Sequence, residues 1–326
     1  MALAVHVCHA GILPQPEVFR DLLDPGIRLT LGPERPPGPV DILVCGRPTR
    51  EQLALPGLRA VIVPFAGVPE ETLALLAEFP HIALHNLHHN DAATAEMALG
   101  LLLAVSRRII PVDRLLRQHD WTPRYEPPPQ VILAGRTALI LGYGAIGRRL
   151  ARVLRALDMR VLATRRSGTT PMDDGIATVF PAAALSDLLP QAHVLLITLP
   201  LTPETRGLIG ARELALLPRG AILVNVGRGP IVDEAALYRA LADGHLLGAG
   251  LDVWYRYPAD EAGRKHTPPS DYPFHELDNV VLSPHRGGMA GGQDLERRRL
   301  EALAAMLNTA ARGEPLPNRV DPTRGY

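Results

Sequence analysis

Three glycines and two arginines within Thr137–Ser167 carry the plainest chemistry in the chain. Gly142-Tyr143-Gly144-Ala145-Ile146-Gly147 has the G-x-G-x-x-G spacing. In that pattern Gly142 permits a tight turn, Gly144 lets the backbone approach a pyrophosphate, and Gly147 lets helix and strand pack closely. Ala145 and Ile146 then open a helix whose N-terminus faces the anion. About 20 residues further on, an NAD-binding fold places an Asp or Glu against the ribose hydroxyls. Here that place holds Thr164-Arg165-Arg166-Ser167, with no carboxylate. A carboxylate would repel a ribose 2′-phosphate, whereas paired guanidiniums bind one bidentately. The stretch therefore predicts an NADP site, with NAD as the second choice.

The motif is informative only between a strand and a helix, and its neighbours supply both. The apolar run Ala138–Leu141 suits a buried strand. Leu150, Val153, Leu154 and Leu157 recur at helical spacing, with Arg148, Arg149, Arg152 and Arg155 on the other side. Val161–Ala163 is the second strand of the unit.

The rest of the chain frames this unit. At 326 residues it has room for two domains, each with its own core. Lys+Arg and Asp+Glu are both 34, which points away from nucleic acid and anionic membranes as partners. Cys8 and Cys45 sit in apolar runs, so no disulfide framework is expected. No signal-peptide pattern opens the chain, and the longest apolar run, Met97–Val105, falls short of the roughly 20 residues of a membrane span. A cytoplasmic protein is expected.

Residues 1–90 alternate short apolar runs with helical segments, the pattern of a small parallel α/β sheet. Ala4–Val7, Ile27–Leu31, Ile42–Cys45, Ala60–Val63 and Ile82–Leu84 read as strands; Val18–Leu23 and Glu70–Phe79 read as helices. Asn90 or Asp91 caps a long helix that Pro111 interrupts, with Ala95, Met97, Leu99, Leu102 and Leu103 inward. Further strands are predicted at Val194–Leu199, Ala221–Val226, Leu247–Val253 and Val280–Ser283. A last helix, Leu295–Arg312, has an apolar stripe at Leu300, Leu303, Met306 and Leu307.

Three later segments carry a family resemblance: Val224-Asn225-Val226-Gly227-Arg228-Gly229, Gly250-Leu251-Asp252-Val253-Trp254 and Leu282-Ser283-Pro284-His285-Arg286-Gly287-Gly288. With the glycine motif and Leu199-Pro200-Leu201-Thr202, they resemble the D-isomer-specific 2-hydroxyacid dehydrogenases in order and spacing along nearly the whole chain. The resemblance implies two doubly wound parallel-sheet α/β domains. A discontinuous, flavodoxin-like substrate domain would take 1–91 and 291–326, and a Rossmann dinucleotide-binding domain 92–290. It also implies a cleft between the domains and a homodimer built largely on the nucleotide domains.

Reduction of a 2-ketoacid needs a hydride at the carbonyl carbon and a proton at its oxygen. By resemblance Arg228 holds the carboxylate and carbonyl oxygen of the substrate, and His285 is the general acid/base. Asp252 matches a residue near the nicotinamide amide. Leu199, Pro200, Thr205, Val226, Gly227 and Gly287, with Arg228 and His285, complete the cofactor contacts that the family implies. Ala66-Gly67-Val68 matches a loop whose N–H groups meet the substrate carboxylate.

The sequence departs from the family at one place. The family's glutamate, five residues after the aspartate, is here Tyr257, followed by Pro258. A carboxylate beside the histidine raises its pKa and fixes its tautomer, and a phenol does so less. Asp260, Glu261, Asp271 and Glu276 are candidates to replace it. Formate dehydrogenases, a branch of the same superfamily, carry a neutral glutamine there and place an asparagine six residues before a glutamate, as Asn90 and Glu96 stand here. Asn90 is thus a candidate anion ligand. His81, His85, His88 and His89 lack a further Cys or carboxylate at ligand spacing, so no metal is expected. Their plain reading is as solvated loop histidines, with His88 or His89 near substrate by resemblance. The leading expectation is an NADP-preferring enzyme of small 2-ketoacids such as glyoxylate or hydroxypyruvate. Oxidation of another small anion, or cofactor sensing with little turnover, are the alternatives.

Overall fold

The computed structural model describes residues 2–9, 11–12, 15–34, 36, 38–166, 168–289, 293–323 and 325. The chain divides into two compact units, Met1–Asn90 with Ala290–Tyr326, and Asp91–Met289.

In the first unit the strands are β1 (Leu3–Val7), β2 (Ile27–Leu31), β3 (Ile42–Val44), β4 (Ala60–Val63) and β5 (Ala83–Asn86). They run parallel in the order β2-β1-β3-β4-β5, and a short strand, Arg319–Val320, pairs antiparallel with β5. The parallel part has the flavodoxin-like order. These strands are continuous apolar runs because both faces are covered. Val5, Val7, Ile42, Val44 and Ile62 pack with Leu300, Leu303, Met306 and Leu307 of the final helix, Gln293–Ala311. Leu43, Val61, Val63 and Leu84 face the other way, toward Leu53 and Leu76. Each such buried side chain contributes about 1.5–3 kcal/mol over its exposed state.

The second unit holds β6 (Thr137–Leu141), β7 (Arg160–Arg165), β8 (Met172–Asp173), β9 (Thr178–Pro181), β10 (Val194–Ile197), β11 (Ala221–Asn225), β12 (Leu246–Leu251) and β13 (Val280–Leu282). The sheet order is β13-β12-β11-β10-β6-β7-β9-β8, parallel except for β8. The winding reverses between β6 and β10, the Rossmann arrangement, in which ligands bind at the carboxyl ends beside that reversal.

Most elements lie where the apolar patterning places them, with ends displaced by a residue or two. The helix Asp91–Ser106 stops before Pro111 is reached, because the proline ring would strike the carbonyl four residues back, at Arg107. Arg108 takes a left-handed backbone (φ 54°) and a new helix, Ile109–Leu116, accepts Pro111 in its first turn. On the helix Ala145–Ala156 the buried face is Gly147, Leu150, Ala151 and Leu154, while Val153 is exposed. The small residues mark the contact face and the larger Val153 does not, so the apolar spacing misplaced the face by part of a turn. No described helix is long and apolar enough to cross a membrane.

Candidate active site

The residues that carry chemistry in the second unit all follow strand ends on one edge of its sheet. Gly142 comes directly after β6 with φ 100°, a conformation that disfavours any side chain. Thr198, one residue past β10, donates its hydroxyl to the Gly142 carbonyl at 2.7 Å and ties the loop to the neighbouring strand. A Cβ on Gly147 would run into the Gly142 carbonyl oxygen, so the helix can lie this close to the turn only with glycine there. A Cβ on Gly144 would meet nothing within 4 Å. No side chain caps the helix that begins at Ala145. The first N–H groups of the helix are therefore open to water or a ligand.

Tyr143 is buried and donates its hydroxyl to Asp174 at 2.7 Å, with the Arg148 guanidinium 5.7 Å from its ring centre. Burial and Asp174 push its phenol up to about 12. At the end of β7, Thr164 is buried, Arg165 half-buried and Arg166 exposed. The Arg165 guanidinium lies against Gly168, where a Cβ would be 3.0 Å from Nη2. Ser167 lies outside the described residues.

Beyond β11, the Asn225 side chain closes a turn. Its Oδ1 accepts from Gly227 N at 3.0 Å and its Nδ2 donates to Arg228 O at 3.0 Å. Gly227 sits on Leu199, whose carbonyl oxygen a Cβ would approach to 2.6 Å. Val226 N donates to Ile197 O at 3.1 Å. The Thr205 hydroxyl donates to Pro200 O at 2.8 Å, holding the Leu199–Thr205 segment in shape. Arg228, half-buried, donates Nη1 to the Gly227 carbonyl at 2.7 Å. Burial lowers its pKa, and nearby Tyr257 works against that.

Asp252, directly after β12, is 2 % exposed and accepts three hydrogen bonds. Ser283 Oγ donates at 2.5 Å, Arg286 N at 2.9 Å and Gly287 N at 2.8 Å. This carboxylate thus pins the turn after β13 that carries His285. That histidine has a left-handed backbone (φ 56°), a costly conformation for a non-glycine residue that the surrounding bonds must hold. Its imidazole ring centre is 5.5 Å from that of Tyr257. Burial and Arg228 lower the His285 pKa below its ordinary 6.5, and Asp252 partly opposes them. Tyr257 Oη accepts from Trp254 N at 3.1 Å. Burial raises the phenol's pKa, so it stands neutral beside the imidazole.

None of the four candidate carboxylates replaces the glutamate. Asp271 pairs with Arg256, Glu261 with Arg264 at 2.7 Å, and Glu276 lies 3.9 Å from His275. Asp260 accepts from Gly263 N at 2.8 Å. Asp252 is the carboxylate whose charge favours the protonated His285. The stretch from Arg264 to His275 instead walls a cavity of about 680 Å³, with Trp254, Tyr257, Tyr272, Phe274 and Pro284 among its lining residues.

In the first unit, Ala66, Gly67 and Val68 follow β4 and are half-buried, and the Ala66 carbonyl accepts from Asn86 Nδ2 at 2.6 Å. Asn90, half-buried, directly precedes the long helix. Two of the four clustered histidines are not solvated: His85 is 4 % and His89 6 % exposed. His85 Nδ1 bonds the Pro317 carbonyl at 2.7 Å. Arg299 donates to Nε2 of His89 at 3.3 Å and approaches Nε2 of His9 at 3.1 Å. No group of three or more His, Cys, Asp or Glu among the described residues could hold a metal ion.

A sequence profile for the D-isomer specific 2-hydroxyacid dehydrogenase, NAD binding domain, matches residues 99–287. A glyoxylate reductase of Aeropyrum pernix is 37% identical over 236 residues, 70% of this chain and 66% of that protein, so the match stops just short of two thirds of the relative's length. The crystal structure of a D-isomer specific 2-hydroxyacid dehydrogenase from Xanthobacter autotrophicus Py2, in complex with NADPH and MES, superposes with a TM-score of 0.80 at 29% identity, covering 100% of both chains. An NADPH-dependent glyoxylate/hydroxypyruvate reductase from Sinorhizobium meliloti, in complex with NADP and sulfate, gives 0.79 at 26% identity over 99% of this chain and 100% of that one. Both sheets, their strand orders and the sequence match agree: the chain belongs to the D-isomer specific 2-hydroxyacid dehydrogenase family.

Proposed function

We propose that this protein is an NADP-preferring oxidoreductase of small 2-ketoacids and D-2-hydroxyacids, glyoxylate and hydroxypyruvate being the simplest. The observation that carries the reading is the meeting of Arg228, Tyr257 and His285 on the same sheet edge as the glycine loop. Relatives named glyoxylate reductase, and neighbours that hold NADPH or NADP, support it.

The glycine loop fits a dinucleotide: its helix N-terminus is uncapped by any side chain, position 144 is open, and Gly147 closes helix onto strand. Arg165 and Arg166, with Thr164 and Ser167, would hold the 2′-phosphate; Thr205, Val226, Gly227, Asp252 and Gly287 belong to the same proposed cofactor site. NADPH, when bound, supplies the hydride.

Arg228 spends one edge of its guanidinium on the Gly227 carbonyl and offers the rest to the substrate's carboxylate and carbonyl oxygens. His285 gives its proton to the carbonyl oxygen in reduction and takes one from the hydroxyl in oxidation. Its lowered pKa leaves the free protein's imidazole largely neutral at pH 7. The carboxylate of an arriving ketoacid offsets Arg228 and favours the protonated ring, so substrate binding itself recruits the proton. Ala66, Gly67, Val68 and Asn90 are proposed to bind the substrate anion, with residues 1–91 and 291–326 as the substrate domain. Exposed Ile109, Leu115, Leu116, Trp121, Tyr125 and Ile132 support a homodimer.

The test is a titration with NADPH and NADH, followed by glyoxylate, hydroxypyruvate and formate. Tighter NADPH binding and ketoacid-dependent oxidation of NADPH are expected. Tyr257 specifically favours one second reading, because formate oxidation releases no hydroxyl proton. Reduction of NADP by formate, without ketoacid turnover, would select it. Cofactor binding with no turnover at all would select a sensing role.

A further inference from the structure

Cys8 and Cys45, the only cysteines in the chain, stand side by side at the ends of two paired strands. The β1–β3 ladder aligns Val7 with Val44, and Cys8 N donates to Val44 O at 3.1 Å, so the next residues on each strand are neighbours. Both side chains lie on the face opposite Val7 and Val44, packed with Leu43, Val61, Val63 and Leu76. Adjacent strands are about 4.8 Å apart, inside the roughly 4.4–6.8 Å between Cα atoms that a disulfide spans. The two thiols influence each other: this pushes Cys8 up, together with burial, and holds Cys45 down, while Cys8 Sγ donates to Val44 O at 3.4 Å and Cys45 Sγ to Gln52 Oε1 at 4.0 Å. Cys45 is 7 % exposed and Cys8 half-buried, so the pair meets solvent on the Cys8 side.

The pair lies under the loop proposed to hold the substrate carboxylate. Phe65, directly before Ala66-Gly67-Val68, rests against the residue that follows each cysteine. A Cβ on Gly46 would come within 2.7 Å of the Phe65 ring, and the His9 ring centre is 6.5 Å from it. Thr72 Oγ1 donates to the Gly46 carbonyl at 3.0 Å, so any shift of the β3 end is felt beyond the loop as well.

We propose that Cys8 and Cys45 are a redox-active dithiol that peroxides convert to an intramolecular disulfide, displacing Phe65 and the Ala66–Val68 loop. The Cys45 thiolate attacks one peroxide oxygen, giving a sulfenic acid and, after protonation, one water from hydrogen peroxide. The Cys8 sulfur then attacks the Cys45 sulfur, and the hydroxyl leaves with the Cys8 proton as a second water. The two sulfurs lose two electrons and the peroxide gains them. The effect on substrate affinity rests on the ketoacid reading above; the thiol chemistry does not.

The test starts from purified wild-type protein treated with hydrogen peroxide, then denatured for thiol counting, intact mass and non-reducing electrophoresis. Free thiols should fall from two to none, with loss of two hydrogens, a monomer band and full reversal by dithiothreitol. Two surviving thiols, a gain of oxygen atoms, or a disulfide-linked dimer would overturn the proposal. Oxidation should raise KM for glyoxylate about tenfold, with NADPH affinity unchanged. An unchanged KM would overturn the coupling to the loop. Cys45→Ala removes the attacking thiolate with a small side chain that the buried position accepts, and should make KM insensitive to peroxide; continued sensitivity would also overturn it. If no ketoacid is turned over, the reading of the active site fails while thiol count and mass still decide the chemistry.

Discussion

The glycine loop after β6 and the catalytic turns after β11, β12 and β13 share one sheet edge, yet they are held in different ways. The loop is held mainly by contact, with one stitch from Thr198 to the Gly142 carbonyl: Gly142 needs its positive φ, and Gly147 touches the Gly142 carbonyl. The catalytic turns are held mainly by polar stitches, from Asn225 to Gly227 and Arg228, and from Asp252 to Ser283, Arg286 and Gly287, with one close contact of Gly227 on Leu199. Contact leaves no choice of residue. A stitch leaves neighbouring positions free to change, and Tyr257 is such a change.

The sharpest test of that contrast is within the loop. In Gly147→Ala the new methyl group meets the Gly142 carbonyl, so helix and turn must part. A loss of about 3 kcal/mol in urea unfolding is expected, with NADPH affinity down roughly 100-fold or more. In Gly144→Ala the methyl meets nothing, so the free energy of unfolding should stay within about 0.5 kcal/mol of the parent. NADPH affinity should still fall, because the methyl occupies the backbone's approach to the pyrophosphate. Equal stability losses in the two variants would erase the distinction.

Asp252→Ala tests the stitched side. It leaves the Ser283 hydroxyl and two backbone N–H groups without their acceptor, and a buried donor so left costs about 1–3 kcal/mol in isolation, less for the part-buried Arg286 N–H. Relaxation of the turn and entering water reduce the sum, and a net loss of about 2 kcal/mol is expected. With the His285 turn released, kcat should fall about tenfold to 100-fold while NADPH affinity changes less than in Gly147→Ala. A full loss of NADPH binding with kcat retained in saturating cofactor would mean that Asp252 serves the nucleotide first.

The same division explains what could be read in the sequence. The central strands are buried on both faces and stand out as apolar runs, as Leu139–Leu141 and Leu195–Ile197 do. The glycine motif was legible because only glycine satisfies its sterics. β8, β9 and Arg319–Val320 are too short or too mixed in polarity to stand out, and the one-turn helix Arg50–Leu53 is marked mainly by its Thr49–Gln52 capping box. The long-range stitches are not legible: Asp252 finds Ser283, Arg286 and Gly287 from 31, 34 and 35 residues away. Arg299 reaches His9 across 290 residues and His89 across 210. Such pairings depend on which strand lies beside which, and local pattern carries no trace of that.

Tyr257→Glu returns a carboxylate to the side of His285 and measures what its absence does. In the parent, burial and Arg228 keep the His285 pKa below 6.5, so the protonated ring is lost as pH rises through that lowered value. Reduction uses the protonated ring, and kcat/KM for the ketoacid should decline across the same interval; oxidation uses the neutral ring and should rise. A glutamate at 257 favours the imidazolium and moves the break upward, by about one pH unit for an exposed partner. Above the new break reduction should be about tenfold faster than in the parent, and well below the old one the two should be equal. The gain is smaller than either loss above, because Arg228 remains in place and still disfavours the proton. An unmoved break would place the proton donor elsewhere than His285, or Tyr257 outside its reach. A break that moves without any gain in rate would show that proton transfer does not limit turnover.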